Sequence, residues 1–395
     1  MHSFLRLGIT ASPTHYQIQS KHAIPVIKEE FERVMKANIE KYIGKNIVIA
    51  GDGRMDSPGH SAQYCTYTIM EYENKDILAC EIVNKRETDM KSTAMVKEGL
   101  KRCLKKLSDS GITIQELCTD ASTSIASMIG KEYPDIEHSF DVWDGAKNFG
   151  KRLGAVGAES KNKELRPWLP HVINHFWYCC REAGGDEHKL LGKWRGVLHH
   201  VVNDHKWALG ECDHGTLQEA EDSKWLEPGE SSHLALTKLV LDTRFLHNLR
   251  FYKNFRHTED LESFHEHILM YCAKRFAYTH PVYKARNYLA CIDYQAHKDR
   301  GLLRNKKGEI RLHRMFSKKS NNWTCYPQKQ PKKYEYIPEL LRQIIDHFVS
   351  SDIPLTAPQE MSPSDPRKMK QTLSELFPPP CVLMEQKKSR FGDEK

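Results

Sequence analysis

The chain runs to 395 residues, 39% of them hydrophobic and 28% charged, so it can bury the cores of two or three domains beneath a heavily charged surface. Its net charge of +7 is small for that length, yet residues 298–333 hold twelve Lys and Arg against two acids, Asp299 and Glu309; the basicity is a local patch suited to a polyanion such as nucleic acid. No run of eighteen apolar residues occurs and the opening "MHSFLRLGITASPTHYQIQSK" lacks an apolar signal core, which argues against a helical membrane span or a secretory leader and for a nuclear or cytoplasmic protein whose eleven cysteines stay reduced.

Apolar positions at helical spacing over residues 22–44, closing on a glycine, predict a helical amino-terminal segment within residues 1–45. A strand begins at Asn46 and is expected to stop at Ala50, ahead of Gly51-Asp52-Gly53. "QYCTYTIMEYE" and "ILACEIVNKRE" are β-branched and aromatic, and Asn74-Lys75-Asp76 joins them as an antiparallel hairpin. "STAMVKEGLKRCLKKLSDSG" predicts a helix with a serine at its start and a glycine after its end. A fourth strand in "ITIQELCTDAS", a short helix in "TSIASMIGKEYPD" and a fifth strand in "IEHSFDVWD" follow. From about residue 146 to 256 the chain reads as long helices rich in Trp and His, without a strand pattern. "EDLESFHEHILMYCAKRFAY" gives a helix with Leu261, Phe264, Ile268 and Cys272 on one face, and a second helix covers residues 282–294. The basic segment, containing Trp323 and Tyr326, leads to an amphipathic helix in "YIPELLRQIIDHFVSS". Residues 351–395 are proline-rich and poor in large apolar side chains, a composition that predicts disorder.

The order β-β-β-α-β-α-β-α predicts an α/β fold with a mixed sheet of the ribonuclease H-like kind. Residues 46–154 supply its first part, 155–255 an all-helical insertion, and 256–350 its completion. Asp52 ends the first strand and Asp120, 68 residues later, the fourth. In such a sheet these strands are neighbours, so the two carboxylates face each other. Crowded carboxylates repel unless divalent cations neutralise them, and Mg²⁺ or Mn²⁺ takes hard oxygen ligands of this type. A metal pair about 4 Å apart activates a nucleophile and stabilises the leaving oxygen in an in-line attack on a phosphodiester. The competing reading makes Asp52 an Asx-turn cap in "DGRMDSPG".

Three blocks, "GDGRMDSPGHSAQYCTYTIM", "CTDASTSIASMIGKEYPDIEHSFDVWD" and "HTEDLESFH", together resemble the catalytic domain of DDE/D cut-and-paste DNA transposases. The nearest group is the Kolobok-like elements, relatives of transposases that carry a THAP zinc finger. The resemblance covers about residues 40–350 and is most specific in its first block. It implies a catalytic and metal-binding trio of Asp52, Asp120 and Glu262, Mg²⁺ or Mn²⁺ as cofactor, double-stranded DNA (transposon ends and target) as partner, and a homo-oligomer when active. Glu259, Asp260 and Glu266 compete with Glu262, which is preferred because "LESFH" matches the family block. The 142 residues from Asp120 to Glu262 leave room for the helical insertion.

Members of that group usually follow the fifth strand with Asp-x-x-His. Here "DVWD" keeps Asp141 and puts Asp144 where the histidine belongs. That departure, with no amino-terminal zinc finger or helix-turn-helix region ahead of Asn46, is expected of a truncated or decayed copy. The alternative function is a non-catalytic, domesticated DNA-binding or interaction protein.

Candidate DNA contacts are Lys147, Lys151 and Arg152 after the fifth strand, and Lys306, Lys307, Arg311, Arg314, Lys318 and Lys319 in the basic segment. Cys179, Cys180, His199, His200, His205, Cys212 and His214 cluster in the insertion, but a structural Zn²⁺ is not favoured because no C-x-x-C pair with a matching partner is present. Trp177, Trp194 and Trp207 are expected to fill a helical core rather than stack on unpaired bases.

Overall fold

Every residue of the run Tyr64–Glu71 is buried, which for a strand means that both faces are covered. This run is β2 of a five-stranded mixed sheet with β1 (Asn46–Met55), β3 (Ile77–Asn84), β4 (Thr113–Thr119) and β5 (Glu137–Phe140), in the order β3-β2-β1-β4-β5. β1 and β3 run antiparallel to β2, whereas β4 is parallel to β1 and β5 parallel to β4. The computed structural model describes residues 13–57, 62–208, 210–215, 225–318, 320–354 and 365, so nearly all of the expected carboxy-terminal disorder lies outside the described residues.

Helices cover both faces. α1 (Pro13–Ile18) passes through a π turn at Gln19–Ala23 into α2 (Ile24–Glu40), so the helical run begins before the expected residue 22 and ends short of 44. α3 (Ser92–Asp109) lays Leu100, Cys103, Leu104 and Leu107 on one face against Ile49, Tyr67 and Ile69, and α4 (Thr123–Glu132) adds Ile125 and Ile129. Burying each such side chain contributes about 1.5–3 kcal/mol.

A second apolar core follows in the chain, built by α5 (Val142–Ala158), α6 (Leu169–Ala183), α7 (Glu187–Arg195), α8 (Val197–His200), α9 (Ser231–Val240) and α10 (Thr243–Leu249). Phe149, Leu153, Phe176, Trp194, Leu236 and Tyr252 fill it, and Phe140 of β5 joins it to the sheet. A two-residue ribbon, β6 (Lys206–Trp207) with β7 (Gly210–Glu211), lies in this region.

The chain then returns to the other face of the sheet. α11 (Glu259–Ile268) and α12 (His280–His297) join α2 there, packing Leu261, Phe264, Tyr283 and Tyr288 against Ala50, Tyr64, Met70 and Ile82. α11 is shorter than the sequence suggests; Cys272 is buried in the turn that follows it. Phe31 stacks on Tyr288 at 4.1 Å between ring centroids. The basic segment forms an antiparallel ribbon, β8 (Leu312–Ser317) with β9 (Asn322–Pro327), which the sequence did not foretell because neither strand has an apolar face committed to a core. α13 (Tyr336–Ser350) closes the described fold. Among the described residues no helix is long and apolar enough to cross a membrane.

The glycines flanking Asp52 have a packing role. β1 does not stop at Ala50 but continues beside β2 to Met55; only its parallel pairing with β4 ends at Ala50. Gly51 and Gly53 face Tyr67, where an added Cβ would fall 2.7 Å from the tyrosine Oη and 3.2 Å from its Cδ2. Gly99 on α3 completes the slot, with 2.5 Å between its added Cβ and that of Tyr67. The glycines make room for a buried ring.

Candidate active site

Strand register brings the first two acids together. In the parallel pairing of β1 with β4, Ala50 lies opposite Cys118. Two residues further along each chain stand Asp52 and Asp120, on one face of the sheet because strand side chains alternate. The ladder between the two strands has ended by then.

The third acid is carried there by hydrogen bonds from a distant part of the chain. Asp141 caps α5, its Oδ1 accepting from the Trp143 amide at 2.6 Å. Its Oδ2 accepts from the Thr258 amide at 2.8 Å and the Thr258 hydroxyl at 2.5 Å. Thr258 is the N-cap of α11, whose first turn carries Glu262. A second anchor lies just before it: Arg256 donates from Nη2 at 2.7 Å and from Nε at 3.0 Å to the buried Glu116 of β4. Ser139 Oγ and Asn254 Nδ2 also donate to Glu116, at 2.5 and 3.0 Å.

The result is an acidic centre in which the charges act on one another. Burial, then the carboxylates of Asp52, Asp144, Asp141 and Glu262, push Asp120 up to about 8 although its side chain opens to solvent. Burial and then Asp141 also raise Glu262 and Asp144, with Lys147 opposing. Asp120 and Asp144 are near enough for each carboxylate to act on the other. Asp52 goes the other way. Burial opposes its charge, but the His265 imidazole, with Nδ1 at 3.1 Å from Oδ2, and the Gly53 amide, 2.6 Å from Oδ1, hold it below the usual carboxylate range.

Asp52, Asp120, Glu262 and Asp144 thus bring hard oxygens, the donor type that Mg²⁺ or Mn²⁺ takes, within electrostatic range of one another, but among the described residues no three of them have ligand atoms within 4.8 Å of each other. Of the competitors on α11, Asp260 turns to Lys75 at 2.8 Å. The sequence treated Asp144 only as a departure from a family pattern; in the fold it is a fourth carboxylate of the centre. His265 was missed altogether. Its signal was the Glu-x-x-His spacing of Glu262 and His265, which puts both on one side of a helix.

The basic candidates separate into two groups. Lys147 sits 4.3 Å from the Trp143 ring centroid and 3.9 Å from Asp144, and lines a shallow cavity of about 430 Å³ with Lys151, Trp143 and Trp177. Arg152 pairs instead with Asp242 at 3.2 Å. Lys306, Lys307, Arg311, Arg314 and Lys318 are exposed on or beside the β8–β9 ribbon, and Lys319 lies outside the described residues. Exposed Trp323 and Phe316 lie among them, 5.4 Å apart by centroid.

In the helical region Trp194 is core, its indole donating to the Val240 carbonyl at 3.1 Å. Trp207 stacks on His199 and Trp177 on His257. Cys179 and Cys180 are buried, and His199 pairs with Asp204 at 3.0 Å. His200, His205, Cys212 and His214 converge, with one potential ligand atom from each lying within 4.8 Å of all the others. Burial and then its histidine neighbours lower His200 to about 4.

Fold and site together define an α/β protein with a mixed sheet that carries a group of mutually interacting carboxylates at one end. Compared with known protein families and with curated proteins, the chain matches none.

Proposed function

We propose that this is a transposase-derived protein of the DDE/D type, Kolobok-like, with a ribonuclease H-like core interrupted by a helical insertion, acting on double-stranded DNA. The observation that carries the proposal is the mutual field of Asp52, Asp120 and Glu262, three acids separated by 68 and 142 residues yet within electrostatic range at one end of the sheet. The strand order β3-β2-β1-β4-β5, with only β2 antiparallel to its neighbours, is compatible with such a core.

Asp52, Asp120 and Glu262, with Asp144 beside them, would hold Mg²⁺ or Mn²⁺, which supplies activation of a nucleophile and stabilisation of the leaving oxygen. Water attacks phosphorus, the P–O3′ bond breaks, and a 3′-hydroxyl and 5′-phosphate result. The 3′-hydroxyl then attacks a target phosphodiester, exchanging one P–O bond for another with no net oxidation. Lys147 and Lys151, beside Trp143 and Trp177, offer phosphate contact and a stacking surface next to the acids. The β8–β9 ribbon offers a second basic surface for DNA, and a homo-oligomer would present two such centres.

The test is nicking of supercoiled DNA by the full chain with Mg²⁺ or Mn²⁺. Wild-type protein is expected to nick, and Asp52→Ala, Asp120→Ala and Glu262→Ala to fall to background while still retaining DNA. Cleavage surviving in one variant removes that acid from the trio. A second reading, DNA binding without cleavage, draws on the His265–Asp52 pair, which already engages one oxygen of that acid with a protein partner. Wild-type protein that retains DNA and never nicks it would select that reading.

A further inference from the structure

The geometry points to a structural zinc site made by His200, His205, Cys212 and His214, outside the carboxylate centre and independent of what that centre does. His200 closes α8, and the β6–β7 ribbon folds the chain back so that the Cys212 amide donates to the His205 carbonyl at 3.0 Å. His214 follows two residues later.

Distances among the ligand atoms match a metal polyhedron. His200 Nδ1 lies 3.3 Å from His214 Nε2 and 3.5 Å from Cys212 Sγ. A tetrahedral Zn²⁺ with bonds of about 2.0 Å to nitrogen and about 2.3 Å to sulfur has N–N and N–S edges of about 3.3 and 3.5 Å.

Proton placement points the same way. His205 Nε2 lies 3.0 Å from Asn203 Oδ1, an acceptor that fixes the ring proton on that nitrogen. Nδ1 of the same ring is left buried and without a hydrogen-bond partner, in a residue that offers a ligand atom to the cluster. His214 likewise donates from Nδ1 to the Gly215 carbonyl at 2.8 Å and turns the Nε2 lone pair towards His200. Hydrogen bonds alone leave a buried nitrogen lone pair unused; a cation uses it. Trp225 lies against His200 and His205, and Trp168 against His200, shielding the cluster on that side.

Three imidazoles and one thiolate form a closed set of four protein ligands, and that donor softness selects Zn²⁺ over Mg²⁺ or Ca²⁺. The role that follows is structural. Among its described residues the loop from His200 to His214 carries only a two-residue ribbon, and a metal would fix it where hydrophobic burial is sparse.

The full chain, purified without chelator, is expected to contain about one zinc per chain by plasma mass spectrometry. Cys212→Ser and His214→Ala should lose it, while Cys325→Ser, at an exposed thiol, keeps it. Because a ligand variant can fail to fold, wild-type protein stripped by chelator supplies the second measurement. Co²⁺ added to it should give a thiolate-to-cobalt charge-transfer band and tetrahedral d–d bands that zinc bleaches, and zinc should restore the thermal midpoint lost on stripping. Wild-type protein with no bound zinc and no cobalt–thiolate band would overturn the site, as would full zinc retention in both ligand variants.

Discussion

Asp120 carries an electrostatic penalty that packing does not require. Its folded value of about 8 lies far above the ordinary 3.8, so between those limits the folded state binds more protons than the unfolded one. Stability from this residue is therefore full below about pH 4 and is lost as pH rises towards 8. Asp120→Asn should abolish that loss. In urea denaturation with chelator present, wild-type protein is expected to weaken relative to the variant from about pH 5 to about pH 8.5, and Mg²⁺ should narrow the gap by neutralising the centre. Parallel curves for the two proteins, with and without Mg²⁺, would show that the carboxylates are not coupled as described. Asp52 was legible as a strand-end acid, but its histidine partner was not, because His265 comes from a helix more than two hundred residues away.

The elements were legible wherever burial is periodic. β2, β3, α3 and α12 follow directly from their apolar patterns, since each is committed to a covered face. β1 was cut short in the sequence because glycine reads as a terminator, whereas Gly51 and Gly53 exist to admit Tyr67. The β8–β9 ribbon left no trace because it is solvated on both sides. The β2–β3 turn shows how elements are fastened together. Buried Asp76 accepts from Lys41 at 2.9 Å and Tyr42 at 2.8 Å beyond the end of α2, and from Gln295 on α12 at 3.1 Å. Burial opposes its charge, yet these donors hold it at about 2. Its contribution is present above the unfolded value of 3.8 and is lost as pH falls through about 2, amounting to about 2 kcal/mol. Wild-type protein should lose about that much more than Asp76→Asn between about pH 6 and about pH 2, read from urea midpoints. Equal acid sensitivity in the two would remove Asp76 from this role.

At the scale of the molecule, a chain that leaves the sheet after β5 returns with Glu262 within electrostatic range of Asp120. Composition and spacing could announce an insertion, but they could not specify its attachment points. Those points are Thr258 on Asp141 and Arg256 on Glu116, both joining the returning chain to the strand-end region that it left more than a hundred residues earlier. The Arg256–Glu116 pair is the stronger lever, because Glu116 is buried and Arg256 supplies its compensating charge. Arg256→Met should destabilise the protein by about 3–5 kcal/mol, most of it from a carboxylate left uncompensated. Adding Glu116→Gln removes that charge while keeping an acceptor for Ser139 and Asn254, so the double variant should recover much of the loss. Stability is read by urea denaturation, and attachment by the nicking assay on folded protein. If the pair positions Glu262, the double variant regains stability without regaining wild-type cleavage, because the guanidinium that holds the entry to α11 is still missing. Full recovery of both would make the pair a stability element alone, and leave Asp141 with Thr258 as the contact that delivers the third acid.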